Sequence, residues 1–189
     1  MMSSVVNQHG WIIVDVPEAA EIAAKKHRQA RDQKYGNIYS EKETDERWVG
    51  DLGEFVFKSW LKSQRFHQFE WILDDAAGKA DFIMPQNSLV DVKTVKRKVA
   101  PRPDYTAQIT AQHIEENIDH YFFMSYQNSL RKMTLLGGVS KKAFKEHSVY
   151  YGEGDMVHSN YTIRKGHEIY NIDIAKLVSP HEWLAQFTP

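Results

Sequence analysis

Two charged residues sit inside the most strand-like segment of this chain, and that placement restricts its fold more than any other feature. The segment, 89–95, reads Leu-Val-Asp-Val-Lys-Thr-Val. Aliphatic and β-branched residues favour a strand here, and charges within it oppose one unless they are used or exposed. Side chains alternate across a strand, so Asp91 and Lys93 share one face. Acid-x-Lys alone is a weak signal, because it recurs at Asp32-Gln33-Lys34 in a polar helix end that needs no explanation.

A second aspartate lies just upstream, between apolar neighbours in Ala80-Asp81-Phe82-Ile83-Met84. Both segments read as strands, and the turn-like residues 85–88 between them make a hairpin. A connection of odd length, such as 85–87, pairs Met84 with Ser88 and sets Asp81 opposite Asp91 on one face. A four-residue connection sends them to opposite faces unless a bulge restores the register. Two carboxylates at strand spacing repel each other unless one is protonated or a cation bridges them, and oxygen ligands suit Mg²⁺ or Mn²⁺. Lys93 would add an ammonium that stabilises charge on a phosphate or orients an attacking water.

Glu54 supplies a third acid. In the helical stretch 48–61, 3.6-residue spacing puts Glu54 on one stripe with Gly50, Phe57 and Leu61, away from any plainly polar face. Gly50 and Gly53 each cost about 1 kcal/mol relative to alanine inside a helix, so close approach of another element is a reasonable motive for them.

Around this centre the chain reads as one domain of 189 residues, its 42% hydrophobic content sufficient for a packed core. A strand at 10–16 and a helix from Glu18 to about Gln33 form an N-terminal addition over about 1–40. Ser40 with Glu43, or Thr44 with Asp45, offers start signals for the helix that carries Glu54 and reaches about Gln64. The core, about 44–140, continues with strands at 68–73, 80–84 and 89–95, then a helix over 106–119 with Ala107, Ala111, Ile114 and Ile118 as its apolar stripe. Strands at 120–126 and 132–139 follow. The C-terminal addition, 141–189, contains a short helical piece at 141–146, a Gly-rich stretch at 151–155, and a helix start at Ser179-Pro180-His181-Glu182. This order predicts an α/β fold with a central mixed sheet of about five strands flanked by helices.

Composition trims the options. With no cysteine there is no disulfide, no thiolate zinc site and no cysteine nucleophile. The nine histidines offer no zinc-ligand spacing. No apolar run approaches the ~20 residues of a membrane span, and the first residues lack a secretory signal, so a soluble, cytoplasmic protein without a membrane partner is expected. A net charge of -1 argues against coating nucleic acid by bulk positive charge but leaves local binding open. Lys93, Lys96, Arg97, Lys98 and Arg102 fall within ten positions free of acid. Taken alone, that run reads as a solvated loop; beside a phosphodiester site it could grip flanking phosphates, with Tyr105 available to stack on a base.

A helix Glu, then an Asp, then acid-x-Lys on successive strands, followed by a helix and further strands, resembles the PD-(D/E)XK nuclease superfamily and its restriction-endonuclease-like fold. The likeness spans about 48–139, with Ala80 where proline often precedes the first aspartate. It implies that Asp81 and Asp91 ligate Mg²⁺ or Mn²⁺ together with the Val92 carbonyl, that Lys93 is catalytic, and that Glu54 helps hold metal or water. It also implies that Gln108 or Gln112, on the helix over 106–119, lies near the site, and that cleavage leaves 5′-phosphate and 3′-hydroxyl ends. The expected activity is a metal-dependent deoxyribonuclease with nucleic acid as partner. A junction-resolving enzyme of the same class would be a homodimer. A binding or scaffolding protein without catalysis is the rival from another class, and an accidental likeness follows if the two aspartates face apart.

Overall fold

Strand alternation on both faces of one sheet organises the molecule. The computed structural model describes residues 2–36, 46–73 and 79–189. Its main sheet is mixed and seven-stranded. One half contains β1 (Ser4–Val6), β2 (Ile12–Asp15), β8 (Lys132–Ser140) and β7 (His120–Gln127), and the other β5 (Ser88–Arg97), β4 (Phe82–Met84) and β3 (Glu70–Trp71). In space the order is β1-β2-β8-β7-β5-β4-β3, with β5 and β7 parallel and every other neighbouring pair antiparallel. The five strands expected from sequence are joined at one edge by β2 and the unanticipated β1.

One face is covered by helices. On it Val90 and Val92 of β5, Phe122 and Met124 of β7, and Met133 and Leu135 of β8 form a core with Leu52, Val56, Phe57 and Trp60 of α2 (Trp48–Ser63). Those helical positions recur at the spacing of a buried stripe, which is why the segment docks as a helix. Helix α1 (Glu18–Tyr35) packs on α2, and α4 (Pro180–Ala185) inserts the fully buried Trp183 beside Phe57 and Phe122. Pro180 starts α4, but Ser179 makes no side-chain capping bond. The start signals proposed for α2, Ser40 to Asp45, lie outside the described residues.

The opposite face corrects the expectation of a helix over 106–119. It carries β6 (Thr106–Thr110), a 3₁₀ turn (Ala111–His113), and a three-stranded sheet in which β12 (Ile169–Asp173) lies between β6 and β9 (Val149–Tyr151). Thr106, Gln108 and Thr110 alternate with Ala107 and Ile109, a period of two that β12 satisfies with a five-residue antiparallel ladder. The apolar stripe assigned to a helix still faces inward in part: Ile114 and Ile118 are buried with Tyr121, Phe123, Leu136 and Ile172. Helix α3 (Lys141–His147) closes this layer through Phe144, with Ser140 capping the Ala143 N–H. A small hairpin, β10 (Met156–His158) and β11 (Tyr161–Thr162), follows the Gly-rich stretch. No described helix is long and apolar enough to cross a membrane.

Candidate active site

The hairpin that brings the two aspartates together has the three-residue connection. Pro85, Gln86 and Asn87 form a 3₁₀ turn, and Met84 pairs with Ser88, Ile83 with Leu89 and Phe82 with Val90. Gln86 and Asn87 take positive φ values of 62° and 56°, which close the turn tightly. The ladder then changes character. The Asp81 N–H donates to the Val90 carbonyl at 3.0 Å, and its Oδ2 accepts the Val92 N–H at 2.8 Å. A side chain thus takes a place in the ladder that backbone would otherwise fill, and the Asp81 carboxyl is left against that of Asp91.

Asp91 and Lys93 share a face as the period of two requires, with Lys93 Nζ 2.8 Å from Asp91 Oδ2. Asp91 is buried, whereas Lys93 retains 30% of its side-chain exposure. Their neighbours on β7 are Tyr121 and Phe123, in parallel register. Glu54 arrives from the helical layer. Gly53, next to it, lies so close to β5 that a Cβ there would overlap the Thr94 side chain, while a Cβ on Gly50 would meet nothing. The close approach anticipated from the two glycines therefore holds for Gly53 only.

Glu54 is held by two groups that sequence reasoning missed. Trp71 of β3 donates its indole N–H to Oε2 at 2.9 Å, and Arg31 of α1 lies 3.5 Å from Oε1. Arg31 also reaches Asp51, a wholly buried acid that faces Arg28 at 2.7 Å and His27 at 2.9 Å. Asp51 and Glu54 are spaced i, i+3 on α2, and His27 and Arg31 i, i+4 on α1, so each helix presents a polar stripe that could have been read. What could not be read is that the stripes face each other.

The electrostatics follow from burial and like charge. Burial first, then the charges of Asp51 and Asp91, push Glu54 up to about 7 against the Trp71 hydrogen bond and Arg31. Asp81 is held well above the usual carboxylate range by burial, by Glu54 and by Asp91, with Lys93 opposing. Burial works to lower Lys93, but Asp91 and Asp81 outweigh it and secure its ammonium form. Burial and then Asp91 raise Tyr121, whose enclosed hydroxyl has no hydrogen-bond partner among the described residues. The acids outstrip local compensation, a condition typical of sites that bind a cation or move a proton.

Whether this donor set suits a divalent ion is a matter of chemistry and reach. Among the described residues no group of three or more His, Asp and Glu side chains stands close enough to enclose an ion. The carboxyls of Asp81 and Asp91, close enough for Asp91 to raise the proton affinity of Asp81, nonetheless offer hard oxygen donors in mutual repulsion, which fits Mg²⁺ or Mn²⁺. Glu54 stands behind them, near enough for its charge to act on Asp81.

The other residues expected at the site lie elsewhere. Gln108 is exposed on β6 and Gln112 is exposed on the 3₁₀ turn, and neither hydrogen-bonds to the acids. Their assignment depended on the helix that is absent. Lys96 pairs with Glu46 at 2.9 Å. Arg97 stacks on Tyr105 at 4.7 Å and donates to the Thr106 carbonyl, while Arg102 covers the same ring and pairs with Asp104. Tyr105 thus serves two guanidinium groups, and Lys98 remains exposed. Compared with protein-family models and with curated proteins, the sequence matches none.

Proposed function

We propose that this protein is a Mg²⁺- or Mn²⁺-dependent nuclease of the PD-(D/E)XK type, built on a restriction-endonuclease-like core and acting on DNA. One observation carries the reading: Asp81 and Asp91 meet at the end of a hairpin ladder with Lys93 salt-bridged to Asp91. Asp81 and Asp91 would hold the ion, with the Val92 carbonyl as a further ligand. When bound, the ion supplies Lewis acidity and offsets the repulsion between the two acids.

The chain's own groups do the rest. Lys93, kept protonated by its carboxylate neighbours, places positive charge where the phosphate gains negative charge. Glu54, with its proton affinity raised to about 7, can accept a proton from the attacking water at neutral pH. Trp71 and Arg31 fix its two oxygens. The water oxygen bonds to phosphorus as the bond from phosphorus to the 3′ oxygen breaks; that oxygen takes up a proton, leaving a 3′-hydroxyl and a 5′-phosphate.

The test is cleavage of labelled linear, circular and single-stranded DNA with Mg²⁺ or Mn²⁺. The parent cuts at least one substrate, and Asp91→Ala and Lys93→Ala lose most of that activity. Equal activity in all three proteins, or no cleavage by any, overturns the assignment in favour of a non-catalytic binding or scaffolding role.

A further inference from the structure

Helix α2 bears, beyond Glu54, two lysines that the site described so far leaves unused. Lys58 and Lys62 follow Glu54 at i+4 and i+8, so the three fall on one stripe with steps of about 6 Å along the axis. Lys58 and Lys62 line an open groove of about 390 Å³ together with Phe55, Ser59 and Trp71. Neither lysine pairs with an acid among the described residues. The basic run at the end of β5 and just beyond it differs in all but the exposed Lys98, because Lys96 and Arg102 are paired with acids and Arg97 lies on Tyr105 and donates to a backbone carbonyl.

Trp71 joins the groove to the acidic site. Its indole N–H holds Glu54, and its ring lies 4.4 Å beneath the Lys58 ammonium and edge-on to Phe55 at 5.3 Å. Burial and the charge of Lys62 lower Lys58, as expected where two ammonium groups face each other without an anion between them.

From this geometry we infer that the α2 groove, with Lys58 and Lys62, is a subsite for the sugar-phosphate backbone of a DNA strand leading away from the Glu54 end of the active site. The choice of ligand rests on the nuclease reading above. Successive phosphates suit cations one helical turn apart, and the Phe55 and Trp71 rings offer an apolar floor for the sugars between them. Ser59 adds a hydroxyl on the same wall.

The experiment measures binding of labelled single-stranded and duplex DNA to the full chain over a salt series without divalent ions, alongside cleavage kinetics with Mg²⁺. Lys58→Gln/Lys62→Gln is compared with Lys145→Gln/Lys176→Gln, which removes the same charge from lysines paired to Glu115 and Asp173. Two lost phosphate contacts lower the slope of log affinity against log salt by roughly 1.4 to 1.8. The groove variant is expected to show that drop, with a higher KM and an unchanged kcat, and the control variant no comparable drop. A slope unchanged in the groove variant, or reduced equally in the control, overturns the subsite while cleavage by the parent keeps the nuclease. A reduced slope without any cleavage keeps the subsite and removes the nuclease. No DNA binding by the parent overturns both.

Discussion

Strand β5 and the segment that follows it place their charges in two settings only a few residues apart. Asp91 is buried and Lys93 partly buried, with Asp81 and Glu54 near enough for their charges to act on one another. From Lys96 to Arg102 the charges lie at the surface, apart from the partly buried Arg97, and all but Lys98 are matched by Glu46, Tyr105, Asp104 or a backbone carbonyl. By sequence the second stretch is the more conspicuous, being a dense run of cations. In three dimensions most of its cations have partners, whereas the acids gathered around the first, Asp81 and Glu54, keep raised proton affinities. Unresolved charge in a packed setting marks a functional site better than charge density does.

That contrast is sharpest in catalysis. Asp91→Ala is expected to lower the cleavage rate by about 10³-fold or more, and Lys96→Ala to leave it within about threefold, because an exposed ion pair contributes little. Comparable losses in both variants would erase the distinction. Lys93→Ala should reduce kcat by roughly 10² to 10³ with little change in KM, the signature of a charge felt mainly in the transition state. A rise in KM alone would move Lys93 into the same category as the surface run.

Stability against pH separates the two stretches without any assay of activity. The folded-state pKa of Glu54 is raised above its ordinary 4.5 to about 7. Below 4.5 both folded and unfolded chains carry the proton; between the two values only the folded chain does, so stability falls as pH rises through this window. The loss is on the order of 1–3 kcal/mol, complete just above neutrality. Urea denaturation at pH 5 and pH 8 should show it in the parent and not in Glu54→Gln, where the amide oxygen still accepts the Trp71 N–H. A decline of equal size in the variant would assign the effect to other groups.

Packing on the site half gives a comparable signal. Gly53→Ala forces α2 away from Thr94 of β5 and should cost about 1–3 kcal/mol, whereas Gly50→Ala, with open space around it, should gain up to about 1 kcal/mol. Thermal melts of the two variants shifting in the same direction would contradict the close contact. The smallest expected effect lies at the surface end of the strand: Arg97→Ala, losing its stack on Tyr105 and its bond to Thr106, should cost about 1 kcal/mol without altering the cleavage rate.

The hairpin with Asp81 and Asp91 was legible because everything that sets its register is local: two apolar segments and the residues 85–87 between them. Helix α2 was legible for the same reason, since Val49, Leu52, Val56 and Trp60 repeat at helical spacing whatever they pack on. Residues 106–119 misled because a pattern of Ala107, Ala111, Ile114 and Ile118 satisfies a helix, and the strand that wins pairs with β12, distant in the chain. Arg31 and Trp71 were invisible as Glu54 partners, because their roles come from how α1 and β3 dock against α2, a relation that no local periodicity encodes. The basic run was visible, but its partners Glu46 and Tyr105 become apparent only once the chain has folded.

The most direct measurement is the initial rate of DNA cleavage with Mg²⁺ by the parent protein, Asp91→Asn and Lys96→Ala side by side. The parent and Lys96→Ala are expected to cut at similar rates, and Asp91→Asn, nearly identical in shape but lacking the carboxylate, to be inactive. Retained cleavage in Asp91→Asn would contradict that expectation, because the meeting of Asp81 and Asp91 could then not be where the phosphodiester is broken.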